Sequence, residues 1–292
     1  MSGPGSRRAT GVAAMVASSI LFSLMSILIG MAQGVSSFMT SFARFGVGAV
    51  AVGTLGLFGR IRLDFVNTRL LLVRGLLGGA GVFAFFLSIS VLGVARGTVI
   101  SYTYPLFATV FGALILRERV RGVAWVAVVL AMVGLGLMRL GDWLAAPAWD
   151  PWYLVSAAGA VVSGLAVVAV RRLTETDSSP VIFLAQSLVG FWLVFVPALG
   201  TPLSLGVSAA LLLLAIGLTA TVAQLLMTWS YRTVDVATGS LLSMLTPVVN
   251  VLSGVLLFRE VLGPLQSAAA ALVLVSCALV MLPARALPSG AV

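Results

Sequence analysis

The side chains able to do chemistry in this chain are few, and their types narrow what that chemistry is. The 292 residues include no histidine, one cysteine and 8 acids against 17 basic residues, all of them arginine. Without histidine, zinc sites, Ser-His relays and imidazole proton shuttles are excluded. The lone Cys277, set in an apolar run, has no internal disulfide partner and fills space. Asp64, Asp142, Asp150, Glu175, Asp177 and Asp235 stand outside the apolar runs. Glu118 and Glu260 stand in short connections beside Arg117 and Arg259, where capping of the following helix is expected ahead of proton coupling. No acid pair or metal cluster is expected at membrane depth, and neither metal nor cofactor is implied. Arg44 differs from the other charges. It lies about eight residues into an apolar run, around 12 Å deep at the helical rise, where a guanidinium costs about 2.5 to 3.5 kcal/mol. Two arrangements compensate such a charge: engagement of a substrate carboxylate or phosphate, or bonds to backbone carbonyls and the interface.

Hydroxyls and amides recur at helical spacing. Gly239, Ser243, Thr246, Asn250 and Ser253 follow at intervals of four, three, four and three and share a helical face. Thr221, Gln224, Thr228 and Tyr231 form a second row, and Ser19, Ser23, Ser26 and Gly30 a third. A fourth holds Gly97, Ser101, Tyr104, Ala108 and Phe111, with Tyr102, two positions from Tyr104, expected on another face. Turned toward one axis, these faces make a water-filled cavity. Its candidate substrate-binding residues are Arg44, Ser23, Ser26, Ser101, Tyr104, Gln224, Ser243, Thr246 and Asn250. The amides of Gln224 and Asn250 need partners in hydrocarbon, whereas Ser19, Gly30 and Gly239 suit close helix packing. Pro105 and Pro247 interrupt two apolar runs near their middles, each withdrawing a hydrogen bond from the carbonyl four residues back, at Ser101 and Ser243. Matched interruptions mark binding sites and gates in transporters; plain structural kinks are the alternative.

The elements that must position these residues follow from composition. The chain is 61% apolar and 9% charged, with mean hydropathy +1.18. A soluble domain is near half apolar and a quarter charged, so this is an all-α integral membrane protein. Ten transmembrane helices are expected at about 11–31, 36–58, 70–92, 95–116, 122–139, 152–170, 180–199, 209–231, 236–258 and 263–283. Arg7 and Arg8 before the first run imitate a signal peptide, but the run is too long, and an uncleaved first helix is expected. With the N-terminus inside, cytoplasmic loops carry Arg7, Arg8, Arg60, Arg62, Arg69, Arg117, Arg119, Arg121, Arg171, Arg172, Arg232 and Arg285, with Arg74 just inside the third span. Arg96, Arg139 and Arg259 are left outside. This asymmetry predicts both termini in the cytoplasm. Trp143, Trp149, Trp152 and Tyr153 suit an interfacial belt. The net charge of +9 is scattered in ones and twos, so nucleic acid is not an expected partner.

Sliding the sequence by about 142 residues places Ser88 on Ser230, Gly97 on Gly239, Ser101 on Ser243, Pro105 on Pro247, and Arg117-Glu118 on Arg259-Glu260. Five spans per copy is odd, so residues 1–145 and 146–292 form two five-helix repeats of inverted topology, the architecture of secondary transporters. The duplicated segments YPLFATVFGALILRERVRG and TPVVNVLSGVLLFREVLGPLQ resemble the EamA family of the drug/metabolite transporter superfamily, over essentially the whole chain. The resemblance implies ten spans, a cavity lined mainly by spans 1, 3, 4, 6, 8 and 9, and small organic cargo. The expected protein is therefore a bacterial inner-membrane carrier, monomer or homodimer in the lipid bilayer, exporting an amino acid or related zwitterion or anion. Uptake of a vitamin- or nucleoside-type molecule is the alternative. An intramembrane enzyme lacks its nucleophile and acid pair, a channel its continuous polar pore, and a scaffold leaves the matched prolines unexplained.

Overall fold

The computed structural model describes residues 4–281 apart from 33, 119, 121, 146–150, 201–205, 260 and 262. The expectations for Arg119, Arg121, Trp149, Asp150, Glu260 and Arg285, and for the side chains of Arg139, Asp142, Trp143 and Cys277, lie outside the described residues. Within them the chain is helical without a strand. The helices are α1 (Pro4–Met31), α2 (Ser37–Leu57), α3 (Thr68–Leu92), α4 (Val94–Ser101), α5 (Tyr104–Ile115) and α6 (Gly122–Ala145), followed by α7 (Trp152–Leu173), α8 (Ser179–Leu199), α9 (Val207–Ser230), α10 (Val236–Leu242), α11 (Leu245–Phe258) and α12 (Pro264–Met281). Seven segments are long and apolar enough to cross a membrane. The exterior is apolar, with Leu57, Phe58 and Val50 mostly exposed, while Ser18, Ser26, Thr228 and Asn250 are buried. That distribution suits a hydrocarbon solvent and not water.

Two expected spans differ from expectation. Residues 95–116 and 236–258 are each two helices, broken at Tyr102-Thr103 and Ser243-Met244. At both breaks the chain tightens into three-residue turns: Thr103 N–H donates to Ile100 O at 3.1 Å, and Met244 N–H to Leu241 O at 3.1 Å. Proline is tolerated in a first helical turn, where its missing N–H would have no intrahelical partner. Pro105 accordingly sits second in α5 and Pro247 third in α11, opening new helices instead of bending continuous ones. The Ser243 carbonyl is not left free, since it accepts the Thr246 N–H at 3.0 Å. Further, α6 runs on to Ala145, so Arg139 lies within a helix and not in a loop.

Local chemistry sets the other boundaries. Ser36 Oγ accepts from Met39 N–H, Asn67 Oδ1 from Leu70 N–H and Asp235 Oδ1 from Thr238 N–H, capping α2, α3 and α10. Gly93, at φ 86°, turns the chain between α3 and α4 in a conformation that favours glycine. Helix bounds recur about 142 residues apart: α2 and α8 are both 21 residues, starting at Ser37 and Ser179, and α6 and α12 start at Gly122 and Pro264. Arg117 and Arg259, after α5 and α11, share the left-handed conformation with φ 54° and 55°. The halves intermesh, α1 packing on α9 and α11, α3 on α7 and α8, α2 on α8 and α9, and α6 on α12.

One end of the bundle is tied by a buried carboxylate. Asp177 Oδ1 accepts the Val66 N–H at 2.9 Å and Oδ2 the Asn67 N–H at 3.3 Å, joining the α7–α8 turn to the start of α3. Replacing Asp177 by alanine removes a charged acceptor from both and is expected to cost about 2–3 kcal/mol. Thermal unfolding in detergent measures this as a lowered midpoint, with Asp177→Asn, which keeps one acceptor oxygen, falling between alanine and wild type.

Candidate functional site

Between the halves lies a cavity of about 110 Å³. Its wall takes Phe22 and Met25 from α1, Arg44 from α2, and Arg74, Gly78, Gly81, Val82, Phe85 and Phe86 from α3. Ser101 and Tyr104 come from α4 and α5, with Tyr102 between them, Ser163, Ala166 and Val167 from α7, Gln186 from α8, and Gln224 and Met227 from α9. The lining is apolar and aromatic, with two guanidiniums, two amides and several hydroxyls converging on it; none of these residues is acidic. A mostly apolar cavity with a few placed polar groups is the usual build of a small-molecule site.

Arg44 is 3% exposed. Its Nη2 donates to Gln224 Oε1 at 3.3 Å, and its guanidinium carbon lies 5.3 Å from the Phe45 ring centre and 6.0 Å from that of Phe86. Of the two arrangements open from sequence, the charge thus faces the cavity and an amide, with no backbone carbonyl or interface taking it up. Arg74, counted from sequence among the residues at the membrane edge, is also 3% exposed and lines the same cavity, its Nη2 donating to Gln186 Oε1 at 2.7 Å. Nε of each arginine lacks a hydrogen-bond partner.

Gly78 explains the position of Arg74. Helical side chains lean toward the N-terminus of their helix, which for Arg74, six residues after the first residue of α3, points to the bundle end. Its guanidinium instead turns one helical turn deeper, into space that a Cβ on Gly78 would occupy. The signal available in sequence was weak: an arginine four residues before a glycine, with Gln186 set 142 residues after Arg44.

Of the nine candidate binding residues, Arg44, Ser101, Tyr104 and Gln224 line the cavity, and the other five do not. Ser23 Oγ donates to the Ser19 carbonyl at 2.9 Å and Ser26 Oγ to the Phe22 carbonyl at 2.9 Å. Thr246 Oγ1 donates to the Ser19 carbonyl at 3.0 Å, and Asn250 Nδ2 to Thr98 Oγ1 at 3.1 Å. Ser243 is hydrogen-bonded to the Tyr104 hydroxyl and reaches the cavity only through it. The row on α11 is therefore spent on packing against α1 and α4, and no residue of α10 or α11 lines the cavity. The expected lining by span 9 gives way to α2 and α8, which supply Arg44 and Gln186. Gly30 and Gly239 do pack closely, against Phe258 and Tyr231. Tyr102 and Tyr104, expected on different faces, both line the cavity with ring centres 5.4 Å apart, because the helix break between them cancels the helical rotation. Pro105 and Pro247 are buried at the two breaks and do not line it.

The two ends of the bundle differ. Among the described residues the Glu118 carboxylate meets two other helices: Oε2 accepts the Val236 N–H of α10 at 2.9 Å, and Oε1 pairs with Arg171 Nε at 3.1 Å. Arg171 Nη1 also donates to the Tyr231 carbonyl at 3.1 Å, so α5, α7, α9 and α10 are joined beside the Asp177 contacts. Away from these lies a pit of about 400 Å³ lined by Ile29, Gly34, Ile89, Gly93, Val94 and Phe258 among others. Met25, Ile29, Phe86, Ile89 and Val94 form one buried cluster, with Met25 and Phe86 on the cavity and the other three on the pit.

A helical bundle with an apolar exterior around a mostly apolar cavity that carries a few polar groups suits a multi-pass membrane transporter. The chain belongs to the EamA-like transporter family, whose model matches residues 9–140 and 150–282. It is 26% identical over 277 residues to the pseudopaline exporter CntI of Pseudomonas aeruginosa, in strains UCBPP-PA14 and PAO1, covering 92% of this chain and 94% of that protein. An uncharacterized transporter of Helicobacter pylori J99 is 26% identical over 222 residues, 72% of each chain. A solved crystal structure shares the fold with TM-score 0.71 at 22% identity, over 94% of this chain and 96% of that one.

Gly78→Ala must displace the Arg74 guanidinium, an overpacking cost of about 1–3 kcal/mol. Gly136, where a Cβ meets nothing within 4 Å, is the control. Differential scanning fluorimetry of the two purified variants is expected to show a lowered midpoint for Gly78→Ala and an unchanged or slightly raised one for Gly136→Ala.

Proposed function

We propose that the protein is a secondary carrier that exports a small organic metabolite, an amino acid or related zwitterion or anion, by alternating access. The observation that carries this is the buried Arg44 guanidinium on a cavity whose other polar groups are the Arg74 guanidinium, amides and hydroxyls, without a carboxylate. Such a lining favours neutral, zwitterionic or anionic cargo over a cation. In this proposal Arg44 holds a cargo carboxylate while Gln224, Ser101 and Tyr104 take its remaining polar atoms. Ser243 orients the Tyr104 hydroxyl, Ser23, Thr246 and Asn250 hold α1, α4 and α11 in register, and Ser26 bonds within α1. Export is favoured by relatives whose names describe an exporter.

Alternating access calls for two inverted five-span repeats, residues 1–145 and 146–292. The recurrence of helix bounds, of both helix breaks and of the left-handed Arg117 and Arg259 about 142 residues apart supports that architecture. Arg60, Arg62 and Arg232 in connections, and Arg69, Arg171 and Arg172 in the end turns of α3 and α7, lie at the end tied by Glu118 and Asp177, so by the positive-inside rule that end and both termini are cytoplasmic, in the inner membrane. The cytoplasmic gate is then the Glu118–Arg171–Val236 contacts, and the outer gate the Met25–Phe86–Ile89 cluster. The breaks before Pro105 and Pro247 are the hinges between them.

Counterflow in proteoliposomes with a panel of radiolabelled amino acids, organic acids, vitamins and nucleosides tests the reading. Exchange of at least one amino acid or organic acid is expected, and exchange confined to vitamins or nucleosides, or to nothing, overturns it. With a carboxylate-bearing cargo, Arg44→Ala is expected to reduce uptake by about tenfold or more, and an unchanged rate assigns Arg44 to structure. Pro105→Ala and Pro247→Ala are expected to extend the following helix backward across the break and slow turnover, measured as a reduced maximal exchange rate at unchanged half-saturation.

A further inference from the structure

Resting on the carrier reading, the structure points to a narrower cargo class: we propose that the cavity is a two-point site for dicarboxylates, with Arg44 binding one carboxylate and Arg74 the other. Arg44 and Arg74 are carried by consecutive helices, α2 and α3, and both are buried on the same cavity. Each donates to a single neutral acceptor, Gln224 Oε1 for Arg44 and Gln186 Oε1 for Arg74. Neither has an acidic partner among the described residues, and the cavity lining contains none.

Two like charges in one low-dielectric cavity repel one another and are each costly to desolvate. If their role were structural, a carboxylate beside either would serve better than an amide. Acids are placed elsewhere in this bundle for that purpose, as Glu118 for Arg171 shows. The amides leave each guanidinium fork incomplete: both Nε atoms lack an acceptor, as does Gln186 Nε2 as a donor. A carboxylate is the acceptor that matches a guanidinium fork with two parallel bonds. The donors sit in two separate arginine-glutamine pairs, so two anionic groups on one backbone fit better than a single phosphoryl group. The aromatic wall of Phe85, Phe86, Tyr102 and Tyr104 then covers a short carbon chain. Both amides can swing their N–H groups onto the bound carboxylates once those displace them from the arginines.

The test compares compounds of nearly equal shape that differ by one negative charge: succinate against succinamate, and L-glutamate against L-glutamine, with glycerol 3-phosphate as a single-phosphoryl dianion. Full-length protein in proteoliposomes is assayed for counterflow and, in detergent, for ligand-induced shifts of the unfolding midpoint. Half-saturation for at least one dicarboxylate is expected about tenfold or more below that for its monoamide. Arg74→Gln is expected to bring that ratio near one by raising the dicarboxylate's half-saturation, and Arg44→Gln to raise half-saturation for the dicarboxylate and its monoamide alike. Arg74→Lys, which keeps the charge without the fork, guards against misfolding and is expected to retain part of the preference. A wild-type ratio near one, a preference for glycerol 3-phosphate over every dicarboxylate, or a preference that survives Arg74→Gln overturns the two-point site. If glutamine or another neutral amino acid is exchanged in those cases, the carrier reading stands; failure of all compounds in counterflow removes both.

Discussion

Two guanidinium groups buried without a carboxylate impose the condition that the rest of this bundle satisfies. A single arginine at membrane depth costs a few kcal/mol on the gentler scales, and two on one cavity add mutual repulsion. The surrounding structure answers with oriented neutral dipoles and ring faces. Gln224 and Gln186 present amide oxygens, Phe45 and Phe86 lie within reach of Arg44, and Gly78 gives up a side chain so that Arg74 can turn inward. These contacts meet the charges with neutral dipoles and ring faces and leave them without a carboxylate.

Packing follows from the same condition. The glutamines that meet Arg44 and Arg74 come from the second half of the chain, so the two halves must intermesh across the cavity. Close approach of α3 to α8 runs over Gly79 and Gly190, where a Cβ on the former would lie 2.9 Å from the latter's Cα. Small residues of this kind drive helix association in lipid, where apolar surface gives no preference for protein over solvent. At one end of the bundle Glu118 and Asp177 gather backbone N–H groups from neighbouring segments.

The helix breaks connect packing to mobility. Tyr102-Thr103 and Ser243-Met244 interrupt two segments whose apolar content would carry them straight through. Tyr104 and Ser243 meet across those breaks, so a cavity residue and the second helix break are one hydrogen bond apart. Rotation of either short helix, α4 or α10, would be transmitted to the ring that lines the cavity. The pit and the tied end lie on different sides of that unit, which is the asymmetry an alternating gate requires.

The sequence by itself determined the helical membrane character, the family and the poverty of acids and histidine, because these rest on composition, run length and duplicated motifs. It also identified Arg44, since a lone charge in an apolar run stands out whatever surrounds it. It misjudged residues whose role depends on the facing surface. Ser23, Ser26, Thr246 and Asn250 have the spacing of a cavity wall, yet their hydroxyls and amide are taken up by α1, α4 and neighbouring carbonyls. Arg74 was counted with the charges at the membrane edge and Gln186 was not singled out, because neither periodicity nor charge counting registers which way a long side chain turns. Tyr102 was assigned by a helical wheel that stops applying at a break. Only tertiary structure decided these cases: helix periodicity gives a residue's angle on its own axis, and the neighbour across the interface decides whether that angle meets protein, lipid or cavity.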